Sequence, residues 1–254
     1  MMCGTHEFVD NRDLDVRGMC EFFEKSRDKS GTSCPNIMDW REAFEGADEI
    51  LAVTISSGMS ASYSACVQAM EEYLEEHPGV KGFAMDSLAT GPGMRILVDR
   101  ALELIHQGLT FDEMVQELKT YRKHTFLMFS LQSMNNMARN GRLPLAVVKA
   151  ASILGIRIIA MADEEGKVRS LSKCRGRKKL PGMLVDEVLR LGYKGGRMYI
   201  DHCFADELVD EFTNMIRDLY PEAEFSVVAT GGLCTYYAER GGVIIGFEDG
   251  MARP

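Results

Sequence analysis

The sequence lacks the signals of export, membrane insertion, disulfide bonding and metal binding. No apolar run in its 254 residues approaches the length of about 18 that a membrane-spanning helix needs. Its start shows no basic region followed by an apolar signal segment. The seven cysteines are scattered and never spaced as C-x-x-C, and no two of the five histidines stand at metal-ligand spacing. We therefore expect a soluble, cytoplasmic protein with reduced thiols and no metal.

Signals for nucleic-acid binding, ATP binding and serine hydrolysis are also weak or missing. The net charge is −9, whereas a nucleic-acid-binding surface is normally basic. No G-x-x-x-x-G-K-[ST] loop occurs to hold a nucleotide triphosphate. The string SGMSAS resembles a nucleophile elbow, but Ser62 stands where G-x-S-x-G needs its second glycine. No cofactor is expected.

Apolar runs of strand length alternate with segments of helical period, which is the pattern of βαβ units. Pro92 near the start of one helix and a T-x-x-E capping box at Thr110 before the next support the helix boundaries. The fold class predicted is α/β, with mostly parallel sheets flanked by helices. In the first half, strands are expected at 49–55 and 80–87, and helices at 63–76, 90–108 and 111–122.

The pattern changes after His124, where an apolar segment leads through a helical one to a Gly-Arg turn. We therefore predict two α/β lobes, residues 1–123 and 124–254. Asp163 to Gly166 is predicted to be the turn of a hairpin. Further strands are expected at 197–203, 225–230 and 241–247, and a further helix at 206–220.

Several polar features stay open when they are judged from the residues alone. Hydroxyls crowd the stretch ISSGMSASY, residues 55–63, at the end of a predicted strand, and they indicate a polar ligand. The string TGPG, residues 90–93, is either an anion-binding turn or an ordinary one. The basic run KCRGRKK, residues 173–179, is either a solvated surface or a docking patch for an acidic partner or a phosphate. His202 is either a general base or a hydrogen-bonded structural residue.

Five strings together resemble those of the DegV family. They are GTSCPN, ISSGMSASY, MDSLATGPG, ARNGRLP and KCRGRKK, and they begin at residues 31, 55, 85, 138 and 173. In that family the corresponding strings look like TSQPS, ISSxLSGTY, DSxxxSxG, GGRIS and a K-x-R-G-x-K-K run. The resemblance covers the chain from about residue 30 to its end and keeps the family's order and approximate spacing.

The resemblance implies a long-chain fatty acid held between the two lobes. It also implies a fatty-acid-binding subunit of a bacterial fatty acid kinase, in which a separate subunit uses ATP to phosphorylate the bound carboxylate. The chain would then be no enzyme by itself, its partners would be the fatty acid and the kinase subunit, and any contact with a membrane surface would be transient. The seventeen methionines either fill the core or line the site of such a flexible apolar ligand.

The resemblance also assigns residues to a carboxylate clamp at the mouth of an apolar tunnel. The family's threonine falls on Thr32, its serine on Ser60, and the arginine of GGR on Arg142. The full set expected to bind the carboxylate is Thr32, Ser33, Ser60, Ser62, Arg142 and Tyr237. The residues expected to support it or to form an anion-binding turn are Ser57, Asp86, Ser87, Gly91 and Gly141. The residues expected to dock a partner are Lys173, Arg175, Arg177, Lys178 and Lys179.

The chain also departs from the family pattern. The opening family strand that ends in TDS, and the strand beside it, have no counterpart, so the first lobe is expected to lack them. Tyr237 stands where the family has the histidine of H-x-G-P-G, and tyrosine, unlike histidine, does not change charge near pH 7. Asn140 replaces the first glycine of GGR, which a left-handed backbone tolerates. Two alternatives therefore stay open: a protein of this fold acting on another small anionic amphiphile, and an interaction module that uses the basic run.

Overall fold

The computed structural model describes residues 1–252. The chain begins with a small antiparallel sheet in which the central strand β1 (Met2–Cys3) pairs with β2 (His6–Glu7) and β3 (Ser30–Gly31). Between β2 and β3 lies helix α1 (Val16–Lys25), and Asp15 caps its start because the Asp15 carboxylate accepts a hydrogen bond from the Gly18 N–H.

A two-stranded parallel sheet follows, formed by β4 (Glu49–Thr54) and β5 (Lys81–Asp86). Side chains alternate between its two faces, so Ile50 and Ala52 pack with one pair of helices while Leu51 packs with the other pair. The first pair is α2 (Ile37–Phe44) and α3 (Ser62–Glu76). The second pair is α4 (Pro92–His106) and α5 (Phe111–Tyr121), and a 3-10 turn at Arg122–His124 follows it.

The rest of the chain builds a six-stranded sheet in the order β10-β9-β11-β6-β7-β8. Its strands are β6 (Thr125–Leu131), β7 (Ile156–Ala162), β8 (Val168–Arg175), β9 (Arg197–His202), β10 (Glu224–Ala229) and β11 (Val243–Glu248). The helices are α6 (Asn135–Arg139), α7 (Leu145–Ile153), α8 (Leu180–Arg190), α9 (Asp206–Leu219) and α10 (Gly232–Ala238), with a 3-10 turn at Arg177–Lys179.

The predicted α/β class is confirmed, but the prediction of mostly parallel sheets is wrong for this large sheet. Only β9 and β10 run parallel in it, and the other four pairs of neighbours are antiparallel. Two connections explain the difference. Strands β7 and β8 are joined by the tight turn predicted at Asp163 to Gly166, and β11, reached through the short helix α10, inserts antiparallel between β9 and β6.

The two faces of the six-stranded sheet are covered differently. Helices α8 and α9 bury one face in a core that includes Met128, Ile245 and Phe212. The other face carries Phe129 and Ile244 and packs against residues of α6, α7 and α10. Helix α4 lies between this face and the two-stranded sheet, since it contacts β9, β11, β6 and β4. The second face therefore looks toward the first half of the chain.

The N-terminal segment packs against the second half of the chain. The hydroxyls of Ser30 and Tyr236 are 2.9 Å apart, Arg240 forms an ion pair with Glu24, and α1 lies on α10. The lobe boundary at residues 123 and 124 stays a prediction, and the last two residues of the predicted second lobe lie outside the described range. Within residues 1–252, we find no helix with the length and apolar character to cross a bilayer.

Candidate functional site

A cavity of about 860 Å³ lies between the two halves of the chain. Small-molecule pockets typically measure about 300–1,000 Å³, so this cavity is large enough for a long ligand. Its wall includes all the residues that were expected to bind a carboxylate: Thr32, Ser33, Ser60, Ser62, Arg142 and Tyr237. The structure thus collects these polar side chains from distant parts of the sequence. Their role in binding a carboxylate stays a prediction.

Thr32, Arg142 and Tyr237 form one polar group in this wall. The hydroxyls of Thr32 and Tyr237 are 2.8 Å apart, although the two residues are 205 positions apart in the sequence. The Arg142 guanidinium carbon lies 5.8 Å from the centre of the Tyr237 ring, within the range of a cation–π contact. Two hydroxyls and one guanidinium therefore face the same end of the cavity, and charge-assisted hydrogen bonds to an anion are stronger than neutral ones.

Local backbone geometry at the end of α6 positions Arg142. The Arg142 N–H donates to the Met137 carbonyl at 2.8 Å, and Gly141 takes the left-handed conformation with φ of 75°. Asn140 has φ of −97° and so does not adopt the left-handed conformation that was expected to be tolerated there. In this turn only Gly141 adopts it. The Arg142 Nε then donates to the Met59 carbonyl at 3.1 Å. This bond joins the turn after α6 to the serine-rich stretch of the first half.

The serine loop, residues 56–62, supplies two further hydroxyls, those of Ser60 and Ser62. Ser60 and Ser62 have their Oγ atoms 3.0 Å apart, and the Ser62 N–H donates to the Ser60 Oγ at 3.2 Å. Ser62 is buried at the first turn of α3, whereas Ser60 is partly exposed. The loop thus presents a pair of coupled hydroxyls that can donate hydrogen bonds to a ligand oxygen.

The residues expected to support the clamp lie outside the cavity lining. Asp86 accepts hydrogen bonds at Oδ1 from the Ser57 and Leu88 N–H groups, so it ties the serine loop to the turn after β5. The Ser87 hydroxyl closes the same turn by bonding both backbone groups of Ala89. Gly141 precedes Arg142 and allows its turn. Among the described residues, none of the five expected supporting residues lines the cavity: Ser57, Asp86, Ser87, Gly91 and Gly141.

The turn at Gly91 faces a carboxylate. Gly91 has φ of 44°, and a Cβ added there would lie 2.9 Å from the Asp201 Oδ2. The buried Asp201 carboxylate forms an ion pair with the partly exposed Arg95, with Nη2 and Oδ1 2.6 Å apart. A carboxylate already lies beside this turn, which favours the interpretation of TGPG as an ordinary strand-to-helix turn. Burial raises the pKa of Asp201 although the positive charge of Arg95 acts in the opposite direction.

The apolar wall of the cavity was not identified from the sequence. It comes from the second face of the six-stranded sheet, with Phe129, Leu131 and Ile244, and from helix α4, with Met94. Met59 and Met137 also line the cavity, and their contact with a flexible apolar ligand stays a prediction. Val53 and Ile55 complete one side where β4 ends. The cavity therefore combines a polar end with an apolar body, as an amphiphilic ligand requires.

The N-terminal segment also contributes to the cavity, through Phe8, Val9 and Asp10. The Asp10 carboxylate accepts hydrogen bonds from the N–H groups of Gly232 and Leu233 at 2.9 and 2.8 Å. The segment is thereby fixed to the start of α10, the helix that carries Tyr237. No sequence signal in the segment MMCGTHEFVD identified Asp10 beforehand, because its partners are more than 220 positions away.

Cys234 lines the cavity as a neutral thiol. Burial raises its pKa to about 12, and the negative charge of Asp201 contributes in the same direction. A thiol that stays protonated near pH 7 is a weakly polar wall group and a poor nucleophile. All seven cysteines are unpaired in the structure. Covalent chemistry at Cys234 is therefore disfavoured.

The basic run lies on the surface, outside the cavity. Lys173, Arg175, Arg177, Lys178 and Lys179 are all exposed, whereas Cys174 between them points into the core. Arg177 pairs with Glu207 at the start of α9. The C-terminal end of β8 and the N-terminal end of β11 lie at the same end of the six-stranded sheet. Helix α10, which carries Tyr237, comes directly before β11. Three strand spacings separate β8 from β11, about 14 Å.

The other candidate groups have structural partners. The His202 Nδ1 accepts a hydrogen bond from the Ala205 N–H at 3.2 Å, which fits the structural interpretation of this histidine. Among residues 1–252, no group of three or more His, Cys, Asp and Glu side chains is arranged to hold a metal ion.

Comparison with known proteins relates this architecture to one family. The model of the DegV family matches residues 2–249. A DegV domain-containing protein of Streptococcus gordonii is 36% identical over 97% of this chain and 88% of its own length. A DegV family protein from Eubacterium eligens, solved with heptadecanoic acid, is 40% identical, with a TM-score of 0.94 over 98% of this chain and 90% of that one.

A second solved structure is equally similar in fold. It is the Streptococcus pneumoniae Fatty Acid Kinase (Fak) B3 protein, loaded with linoleic acid. It is 35% identical to this chain, with a TM-score of 0.94 over 97% of this chain and 88% of that one. The family match, the curated relatives and these structures agree with the five sequence strings, and the chain belongs to the DegV family.

Proposed function

We propose that this protein binds a long-chain fatty acid, with the carboxylate at Thr32, Ser60 and Arg142 and the acyl chain along the apolar wall. The single observation that carries the proposal is the composition of the cavity wall, in which the hydroxyls of Thr32 and Tyr237 lie beside the Arg142 guanidinium and most of the other lining side chains are aliphatic, aromatic or thioether groups. The similar structures loaded with heptadecanoic and linoleic acid support the same class of ligand.

The two parts of the ligand contribute differently to binding. Burying a methylene contributes about 0.8 kcal/mol, so a tail of about sixteen carbons contributes ~12 kcal/mol before the cost of association. A hydrogen bond to a charged group contributes only about 1.5–3 kcal/mol. The tail therefore determines most of the affinity, and the polar end determines which way the molecule lies in the cavity.

The protein then presents the carboxylate to a separate ATP-dependent kinase subunit and performs no catalysis of its own. The likeness to the Fak B3 protein supports this step, and so does the lack of an ATP-binding loop in the sequence. The exposed basic run at the edge of the sheet is the surface that we assign to this partner, since an acidic or phosphate-bearing surface complements it. Cytoplasmic location belongs to the same proposal and rests on the seven unpaired cysteines.

Native mass spectrometry followed by lipid extraction tests the ligand directly. Purified protein should carry about one acyl chain per polypeptide, or take one up when delipidated protein is given oleate or palmitate. An empty cavity that rejects both acids contradicts the proposal. Binding of a different anionic amphiphile would favour the same fold with another ligand. If the protein carries no ligand, and if reversing the charges of Arg177, Lys178 and Lys179 abolishes partner binding, an interaction module is favoured.

A further inference from the structure

Ser56, the first residue of the serine loop, does not contribute to the cavity wall. Ser56 is fully buried, and among the described residues neither it nor any residue of the β7–β8 turn lines the cavity. Its hydroxyl donates to the Gly166 carbonyl at 2.7 Å, across 110 positions of sequence, and accepts from the Gly58 N–H at 3.1 Å. Ser56 thus connects the serine loop to a hairpin of the six-stranded sheet.

The hairpin tip, residues 163–167, is a well-defined partner for this contact. The Asp163 Oδ1 accepts from the N–H groups of Glu165 and Lys167, both at 2.9 Å. The Gly166 N–H donates to the Asp163 carbonyl at 2.9 Å, and the Asp163 N–H donates to the Lys167 carbonyl at 2.8 Å. Because these bonds fix the turn internally, the Gly166 carbonyl is held in one orientation toward Ser56.

The two segments approach so closely that each needs a glycine at the contact. Gly166 has φ of 71°, and a Cβ added there would lie 2.0 Å from the Ser56 Oγ. A Cβ added at Gly58 would lie 2.8 Å from the Glu165 carbonyl oxygen and the Gly166 carbonyl. Neither position can accept a side chain unless the loop moves away from the hairpin.

The contact is coupled to the residues that face the ligand. The Ser56 carbonyl accepts from the Met59 and Ser60 N–H groups, both at 3.0 Å, so the turn that carries Ser60 is built on Ser56. At its other side the loop is held by the bond from the Arg142 Nε to the Met59 carbonyl. A displacement of Ser56 must therefore move Ser60 relative to Arg142.

We propose that the Ser56–Gly166 contact is a latch that sets the position of the serine loop, and that Gly166 is a positioning residue for the carboxylate although it does not touch the ligand. This inference rests on the proposed function, because it assumes that Ser60 and Arg142 bind one head group together. It predicts that damage to the latch lowers the preference for a carboxylate and leaves recognition of the acyl chain intact.

The test compares oleate with oleyl alcohol, which has the same chain but no carboxylate. Gly166→Ala should reduce the ratio of the two affinities about tenfold, in keeping with the coupling between contacting residues. The control is Gly155→Ala, which lies before β7, has φ of 60° and has open space where the Cβ would go. It imposes similar backbone strain without a collision, and it should keep the wild-type ratio.

A second variant separates the latch from a general loss of folding. Ser56→Ala removes the Oγ that the new Cβ would meet at 2.0 Å, and alone it should lower the same ratio several-fold through the lost hydrogen bond. The double variant with Gly166→Ala should lose less than the sum of the two single losses, since the collision at 2.0 Å is gone and only contacts of 3.1 Å to the Cβ of residue 56 and to the Leu88 Cδ2 remain. Strictly additive losses would overturn the latch, because the two sites would then act independently.

The remaining outcomes also decide between the proposals. If the wild-type protein binds neither oleate nor oleyl alcohol, the proposed function fails before the latch is tested. If the wild type prefers oleate, and both Gly166→Ala and Ser56→Ala keep that preference, the latch is wrong while the function stands. Amide exchange in residues 56–62 gives an independent measurement, and it should become faster in both variants but not in Gly155→Ala.

Discussion

The polar end and the apolar body of the cavity are built in opposite ways. The polar side chains come from turns and short elements: Thr32 follows β3, Ser60 lies in a loop, and Arg142 follows a helix of five residues. The apolar body comes from the middle of the six-stranded sheet and from the 15-residue helix α4. The body is therefore continuous with the hydrophobic core, whereas the polar end is held by individual hydrogen bonds.

This difference assigns different physical tasks to the two regions. A wall that belongs to the core can exclude water from a long chain but has little means to distinguish one head group from another. A few hydroxyls and one guanidinium recognise the carboxylate, yet each contributes far less than the buried chain. Changes in the body should therefore alter affinity strongly, and changes at the polar end should alter selectivity.

The largest effect is expected from filling the apolar body. Met94→Trp places a larger ring into the cavity and should displace about four methylenes of the acyl chain. At about 0.8 kcal/mol for each methylene, the loss is ~3 kcal/mol, or roughly 100-fold in the dissociation constant of oleate. Isothermal titration or tryptophan quenching with delipidated protein measures it.

The matched control for that variant is Met215→Trp. Met215 is partly exposed on α9, which covers the opposite face of the six-stranded sheet. The control should bind oleate as the wild type does. If Met94→Trp also keeps wild-type affinity for acids of sixteen or more carbons, the acyl chain does not lie along α4, and the assignment of the apolar body is wrong.

Arg142→Ala should have the next largest effect, and a different kind of effect. Loss of one charge-assisted hydrogen bond costs about 1.5 kcal/mol, so oleate should bind roughly tenfold more weakly while oleyl alcohol binds as before. Arg139→Ala removes the same charge from an exposed position three residues away and serves as the control. Equal losses for the acid and the alcohol would mean that Arg142 supports the fold and does not bind the carboxylate.

The polar end was easier to predict from the sequence than the apolar body, for a physical reason. Hydroxyls at the end of an apolar strand stand out against their neighbours and indicate a polar ligand, and the resemblance to the DegV family then assigned Thr32, Ser60 and Arg142. In β6 the run TFLMFSL shows no alternation, because Met128 faces α8 and α9 while Phe129 faces the cavity side, and both are buried. Which of these side chains meets a ligand depends on tertiary packing that the local pattern does not encode.

The strand directions and the latch were missed for related reasons. Alternating strands and helices suggested parallel neighbours, but the insertion of β11 between β9 and β6 depends on contacts distant in sequence. Similarly, Ser56 looked like one more hydroxyl of the serine-rich stretch, and only the close approach of Gly166 shows that it faces the hairpin. The hairpin turn itself was predicted correctly, because its Asp and Gly residues are a local signal.

A smaller effect is expected from Tyr237→Phe, which removes the hydroxyl beside Thr32. The Thr32 hydroxyl then loses a neutral partner worth about 1 kcal/mol, so oleate affinity should fall about fivefold or less. Tyr236→Phe is the contrasting variant, because its buried hydroxyl contacts Ser30 and Asn140. It should lower the melting temperature more than it lowers affinity. If Tyr236→Phe instead lowers oleate affinity more than Tyr237→Phe does, and lowers the melting temperature less, then Tyr236 supports the carboxylate site and Tyr237 supports the fold.

The smallest effect on fatty-acid binding is expected from reversing the basic run to Glu at Arg177, Lys178 and Lys179. The run lies about three strand spacings, or ~14 Å, from the strand that follows Tyr237, which exceeds the screening length of about 8 Å in physiological salt. Oleate affinity should therefore change less than about twofold. Phosphorylation of the bound acid by a kinase subunit should decline steeply, and more so at low salt, if this surface docks the partner. If the variant binds oleate poorly, the charges of the basic run act electrostatically on the polar end of the cavity. If phosphorylation is unchanged, the basic run is not the docking surface for the kinase subunit.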